Sequence, residues 1–305
     1  MRGTLLTVFG AAILVALPLL KHSLAYARSN SPGSTGLLSK TRPARGASTD
    51  LEIAGDLAGL PEGSVRYLSR QDLLSLPQLT FAVKNDPNFT SPTEVSGVLL
   101  ENLVRDVAGS PASDLAIAIC ADDYRSHYPR EYLTDHHPVL VLYVNGLPPE
   151  RWPKETEGHG LGMGPYLITH QDFRPAFKIL SHDDEPQIPW GVTRLEFRSE
   201  KEVLRTIAPP AREAADQKVQ DGFRIAQQNC LRCHNMDDVG GKKARHPWTI
   251  LAAWATASPD YFAAYVRNPK SKNPHAEMYP NPRYDDATLQ ALIAYFRTFS
   301  AQEKP

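Results

Sequence analysis

Cys230-Leu231-Arg232-Cys233-His234 is the stretch on which the reading of this chain turns. Two thiols three positions apart can each add to a vinyl group of one porphyrin, and the histidine beside the second is then held beneath the iron as its axial ligand. The motif names a c-type haem. Its rivals are a redox dithiol and half of a zinc site. A zinc site wants two more ligands at short spacing, but the chain has three cysteines and the third, Cys120, lies far upstream. A thioredoxin-like dithiol follows a strand, whereas the residues before Cys230 read as a helix.

That helix spans Ala215 to Gln228, with Val219, Phe223 and Ala226 on one face. A haem iron used for electron transfer needs a sixth ligand, and a methionine thioether, soft and neutral, favours the reduced iron. Of the four methionines, Met1 belongs to the N-terminal segment, Met163 lies upstream, and Met236 is too close to His234 to reach the opposite face of the ring. Met278 remains, in Asn273-Pro274-His275-Ala276-Glu277-Met278-Tyr279-Pro280, where Pro269, Pro274, Pro280 and Pro282 stiffen the chain ahead of a helix over about Asp285 to Phe299. His246 and His275 stay open as alternative ligands, since imidazole competes well for haem iron. Trp248, Trp254, Tyr261, Phe262 and Tyr265 read as core aromatics walling the porphyrin. Lys242, Lys243 and Arg245, with Lys270 and Lys272, flank the two loops bordering the haem edge; they are either solvated surface or the cations that steer an acidic redox partner.

Residues 215–302 resemble a class I, mitochondrial-type cytochrome c domain of bacterial kind. The resemblance is carried by Gly222-Phe223 before the haem motif, Pro247 after it, Tyr265-Val266-Arg267-Asn268-Pro269 before the ligand loop, Met278 followed by Pro280, and a closing helix with Leu289, Leu292, Ile293, Tyr295, Phe296 and Phe299. It implies an all-α domain holding one haem c through Cys230 and Cys233, with His234 and Met278 on the iron. It also implies that the Pro247 carbonyl accepts the Nδ1 proton of the axial histidine, which makes the imidazole a stronger donor.

Export follows from the same resemblance, because c-type haem is attached on the outer side of the bacterial inner membrane; the expected location is the periplasm. Arg2, the apolar stretch Leu5 to Leu20 and Ala25-Tyr26-Ala27 read as a signal peptide over 1–27. The rival is an uncleaved anchor, the one reading that puts the chain on a membrane. Lys21 and His22 interrupt the run and favour cleavage. With two cysteines committed to haem, Cys120 has no disulfide partner. A net charge of −1 argues against a nucleic-acid partner held by bulk electrostatics. Residues 28–50, rich in Ser, Gly, Thr and Pro, read as a flexible leader, and 199–214, with Pro209-Pro210 and a charged run, as an interdomain linker.

Between them, 51–198 has mixed periodicity and reads as an α+β domain. Ser69-Arg70-Gln71-Asp72 opens a short helix through Leu76, and Val98 to Val107 has helical spacing ending at Gly109. Strand candidates are Leu115–Cys120, Val139–Val144 before an Asn145-Gly146 turn, Tyr166–Thr169 and Thr193–Phe197. The stretch resembles the molybdopterin-binding domain of the sulfite oxidase family through Tyr67-Leu68-Ser69-Arg70-Gln71-Asp72-Leu73-Leu74, Ser96-Gly97-Val98-Leu99-Leu100-Glu101-Asn102-Leu103, Ala121-Asp122-Asp123-Tyr124 before Tyr128-Pro129, Leu142-Tyr143-Val144-Asn145-Gly146-Leu147-Pro148 and Gly164-Pro165-Tyr166-Leu167-Ile168. Catalytic members hold molybdenum through a cysteine in the segment before the Gly-Val-x-Leu helix, and here that segment, Leu79 to Ser96, has none. Cys120 reads as a small apolar core residue on a buried strand. Arg125, His127 and Arg130 are the compact basic group, a solvated loop or a relic anion pocket.

The expectation is a periplasmic c-type cytochrome whose upstream domain is a docking or scaffold module without molybdenum. The alternative is an enzyme that oxidises a small oxyanion such as sulfite at its own molybdenum site and passes electrons to its haem. Peroxidase activity fits poorly, because a methionine ligand leaves no open iron position.

Overall fold

The computed structural model describes residues 36–89, 92–152 and 162–300. The segment read as signal peptide or anchor lies outside them. Among the described residues no helix is long and apolar enough to cross a membrane.

The first half is built on a nine-stranded mixed sheet. Its strands are β1 (Leu51–Gly55), β2 (Arg66–Leu68), β3 (Leu79–Val83), β4 (Thr93–Leu99), β5 (Leu115–Cys120), β6 (Arg125–Pro129), β7 (Val139–Val144) and β8 (Tyr166–Thr169), with β9 (Lys178–Ile179) and β10 (His182–Asp183) forming a separate hairpin before β11 (Trp190–Arg198). The long β11 is central: it pairs β8 near its start, then β1 in parallel on one side and β5 antiparallel on the other. Helices α1 (Arg70–Leu74), α2 (Leu100–Val107) and α3 (Arg130–His136) lie among the strands.

Ser69 caps α1 in a reciprocal box with Asp72, as the sequence pattern demands. Strand β7 buries both faces, Val139 and Val141 against one apolar cluster and Leu140 and Leu142 against another, which is why it reads as an uninterrupted apolar run. The helix expected from Val98 begins instead at Leu100. Val98 and Leu99 close β4, paired with Leu140 and Val139, and pairing with β7 overrides helical spacing at that end. Arg130 departs from the expected basic group: its guanidinium donates to the Pro111 carbonyl, while Arg125 donates to Asp238.

The stretch read as a leader packs where it is described. Leu37 is buried in the sheet's core, Arg42 exchanges backbone bonds with Tyr67 and pairs with Asp50, and Tyr166 donates to the Thr49 carbonyl. The stretch read as a linker carries α4 (Glu200–Arg205), which buries Val203 against β5.

The second half is helical: α5 (Gln217–Gln228), α6 (Trp248–Ala257), α7 (Pro259–Arg267) and α8 (Asp286–Arg297). Helices α5 and α8 cross so closely that a Cβ on Gly222 would overlap the Ala291 carbonyl and crowd Tyr295. Trp248, Leu292 and Phe296 fill the core, joined by Ile207 from before α5 and Ile179 from β9. The β9–β10 turn also docks on α8, where the Ser181 amide donates to Thr288 Oγ1 at 3.0 Å.

Candidate haem site

The end of α5 tightens into a 3-10 turn over Cys230–Arg232, and the amides of Cys233 and His234 both donate to the Cys230 carbonyl. One turn of chain therefore carries both thiols and the imidazole. Burial pushes the Cys230 thiol up to about 12 and raises Cys233 as well, so both are protonated as packed here. His234 is 8% exposed, and its Nδ1 donates to the His246 carbonyl at 2.6 Å. Burial lowers its pKa, so the ring is neutral, with the lone pair on Nε2.

The acceptor is therefore the residue before Pro247 and not Pro247 itself. Pro247 instead caps α6 in extended conformation, which leaves the preceding carbonyl turned back to the haem motif.

Met278 is half-buried against the same apolar cluster as Cys230 and Met236. The loop carrying it is tied at both ends: Ala276 N donates to Asn273 O, Asn281 N to Val266 O, and Arg267 Nε to Tyr284 O. His246 and His275, the alternative ligands, are both exposed. The His246 ring lies tilted against Trp254 at 4.8 Å, and its backbone carbonyl faces Nδ1 of His234.

Of the aromatics read as core, Trp248 and Phe262 are core. Trp254, Tyr261 and Tyr265 are not: they form a half-open wall beside His246, with ring centroids 5.8 to 5.9 Å apart and Tyr261 40% exposed. A contiguous aromatic wall left open to water is unusual unless something apolar covers it. With two adjacent thiols, an oriented neutral imidazole and a thioether, this donor set fits a covalently attached haem.

The sheet side closes around the motif. Gln228 Nε2 donates to Asp184 Oδ1 at 2.5 Å and its Oε1 accepts from His182 Nε2 at 2.6 Å, while Tyr284 bonds His182 Nδ1 at 2.7 Å and Asn229 Nδ2 at 2.9 Å. These amides just before Cys230 were legible only as a polar helix end. Lys243 pairs with Asp122 at 2.8 Å and lies over Tyr124 and Trp190. Lys242, Arg245, Lys270 and Lys272 are exposed. Cys120 is 4% exposed on β5, an apolar core position as expected.

Residues 217–296 match the model of the family described as cytochrome C oxidase, cbb3-type, subunit III. This stretch is a cytochrome c domain. The domain implies haem c and electron transfer with redox partners, and helices α5 to α8 make it helical apart from a short hairpin pairing Asn235–Met236 with Val239–Gly240. Among solved structures, the sulfane dehydrogenase SoxCD from Paracoccus pantotrophus is similar at 18% identity and a TM-score of 0.33, over 52% of this chain and 40% of that one. No curated protein matches the chain.

Proposed function

We propose that the chain is an exported, periplasmic electron carrier with one haem c on Cys230 and Cys233, His234 and Met278 as axial ligands, and a sheet domain that scaffolds or docks rather than catalyses. The observation that carries this reading is the turn at Cys230 to His234, with both thiols on one turn and the imidazole oriented by the His246 carbonyl. A haem held by Cys230, Cys233 and His234 would supply one-electron redox chemistry. The chain's own residues fix the imidazole, supply a soft sixth donor from a tied loop, and wall the porphyrin with Trp254, Tyr261 and Tyr265. The exposed cations Lys242, Arg245, Lys270 and Lys272 suit an acidic partner.

The sheet domain is read as lacking molybdenum because the segment Leu79 to Ser96 offers no thiolate. Within it, β3 and the start of β4 pair with each other.

Metal analysis and a visible spectrum test the proposal together, on full-length protein exported from a host that makes both haem c and molybdopterin. One iron per chain, haem resistant to acid-acetone extraction and no molybdenum are expected. Molybdenum at one per iron would overturn the carrier reading in favour of an oxidoreductase.

A further inference from the structure

We propose that Arg232, the second variable residue of the haem motif, is a positioning residue through which the sheet domain sets the reduction potential of the haem. The inference rests on the haem reading of Cys230, Cys233 and His234.

Arg232 lies between the two attachment cysteines, but its side chain turns into the sheet domain and is 13% exposed. Nη2 pairs with Glu185 Oε2 at 3.3 Å. The Gln187 amide, oriented with its oxygen toward the guanidinium, accepts from Nη2 at 2.8 Å and from Nε at 3.3 Å. Nε also donates to the Gln228 carbonyl at 2.8 Å. The Gln187 backbone is itself fixed, its carbonyl accepting from the Tyr128 hydroxyl at 3.0 Å and its N–H donating to the Tyr132 hydroxyl at 2.7 Å. A glycine at 241 lets the chain after the motif pass over the Arg232 and Asp123 carbonyls, where a Cβ would not fit.

The socket is built for a planar fork rather than for a point charge. Guanidinium is ionised at every relevant pH, and at this depth water screens it little. A fixed positive charge near a redox centre favours the form carrying less positive charge, which is the reduced one; a carboxylate favours the oxidised form. Arg232 and Glu185 oppose each other, so neutralising either exposes the other. A merely structural role behaves differently, because loosening the socket and wetting the haem moves the potential in the same direction whichever partner is changed.

The experiment is spectroelectrochemistry on full-length Arg232→Gln, Arg232→Lys and Glu185→Gln, after covalent haem is quantified in each and in the wild type. R232Q is expected to lower the potential by at least a tenfold change in the one-electron equilibrium, or 59 mV. E185Q is expected to raise it by a similar factor, and R232K to stay nearer the wild type than R232Q. With haem intact, unchanged potentials or shifts of the same sign in R232Q and E185Q overturn the inference and leave the haem reading standing. Where R232Q does not mature, E185Q decides alone: a rise supports the proposal and anything else overturns it. Wild type without covalent haem overturns the haem reading and this inference together.

Discussion

His234 and His246 are joined by a 2.6 Å bond from the imidazole Nδ1 of the first to the backbone carbonyl of the second. The acceptor belongs to the main chain, so the side chain at 246 is dispensable for orienting the ligand. His246→Ala is expected to keep the low-spin haem spectrum and the weak thioether-to-iron charge-transfer band at its red end. Met278→Ala is expected to abolish that band and lower the potential, because the soft donor that favours reduced iron is gone. Absence of the band from the wild type would remove Met278 from the iron, and its retention in M278A would reassign the sixth position to another thioether.

Gly222 is where α5 and α8 come closest, and a methyl there meets backbone at Ala291 rather than a side chain that can swing aside. Gly222→Ala should cost about 1 to 3 kcal/mol, as overpacking does, despite the helix propensity that alanine adds. Denaturant titration of the holoprotein checks it, and an unchanged midpoint would mean that the two helices part without penalty.

The sheet domain carries its own pH dependence in His170. The Gln187 backbone N–H donates to the Tyr132 hydroxyl, so that hydroxyl gives its proton to His170 Nε2, and His170 Nδ1 is buried without a partner among the described residues. Burial holds the imidazole down to about 3, against an ordinary value of 6.5. Between those values the unfolded chain binds the proton and the folded chain does not, so stability falls as pH drops from 6.5 toward 3, by roughly 1 kcal/mol per pH unit. Because burial holds His127 down to about 3 as well, urea midpoints measured from pH 7 to 4 should fall at least this steeply in wild type and less steeply in His170→Phe. Equal slopes in the two proteins would remove His170 from the account.

What the sequence made legible follows physical range. The haem motif, the capping box at Ser69, the apolar run of β7 and the closing helix are set by near neighbours, and each stands where its pattern puts it. Strand β1 had no such pattern, because its faces are decided by a partner far along the chain, β11. The sockets were invisible for the same reason. Nothing near Arg232 announces Glu185 and Gln187, and nothing near Lys243 announces Asp122.

The junction before α5 offers the sharpest test of whether the segment read as a linker belongs to the haem domain. Ile207 is fully buried in that domain's core, and its carbonyl accepts from the Tyr295 hydroxyl at 2.5 Å. The same hydroxyl accepts from Trp248 Nε1 at 3.2 Å. Tyr295→Phe keeps the ring and its packing but leaves both a buried carbonyl and a buried indole N–H unpaired. Each orphan costs about 1 to 3 kcal/mol, so the variant should lose roughly 2 to 5 kcal/mol, more than a surface tyrosine ever contributes. Protease cleavage between residues 205 and 216 should accelerate with it, since that bond ties the segment down. Unfolding of the holoprotein followed at the haem absorbance and limited proteolysis read the two effects separately, and a stable variant with unchanged cleavage would show that the segment is held by Ile207 packing alone.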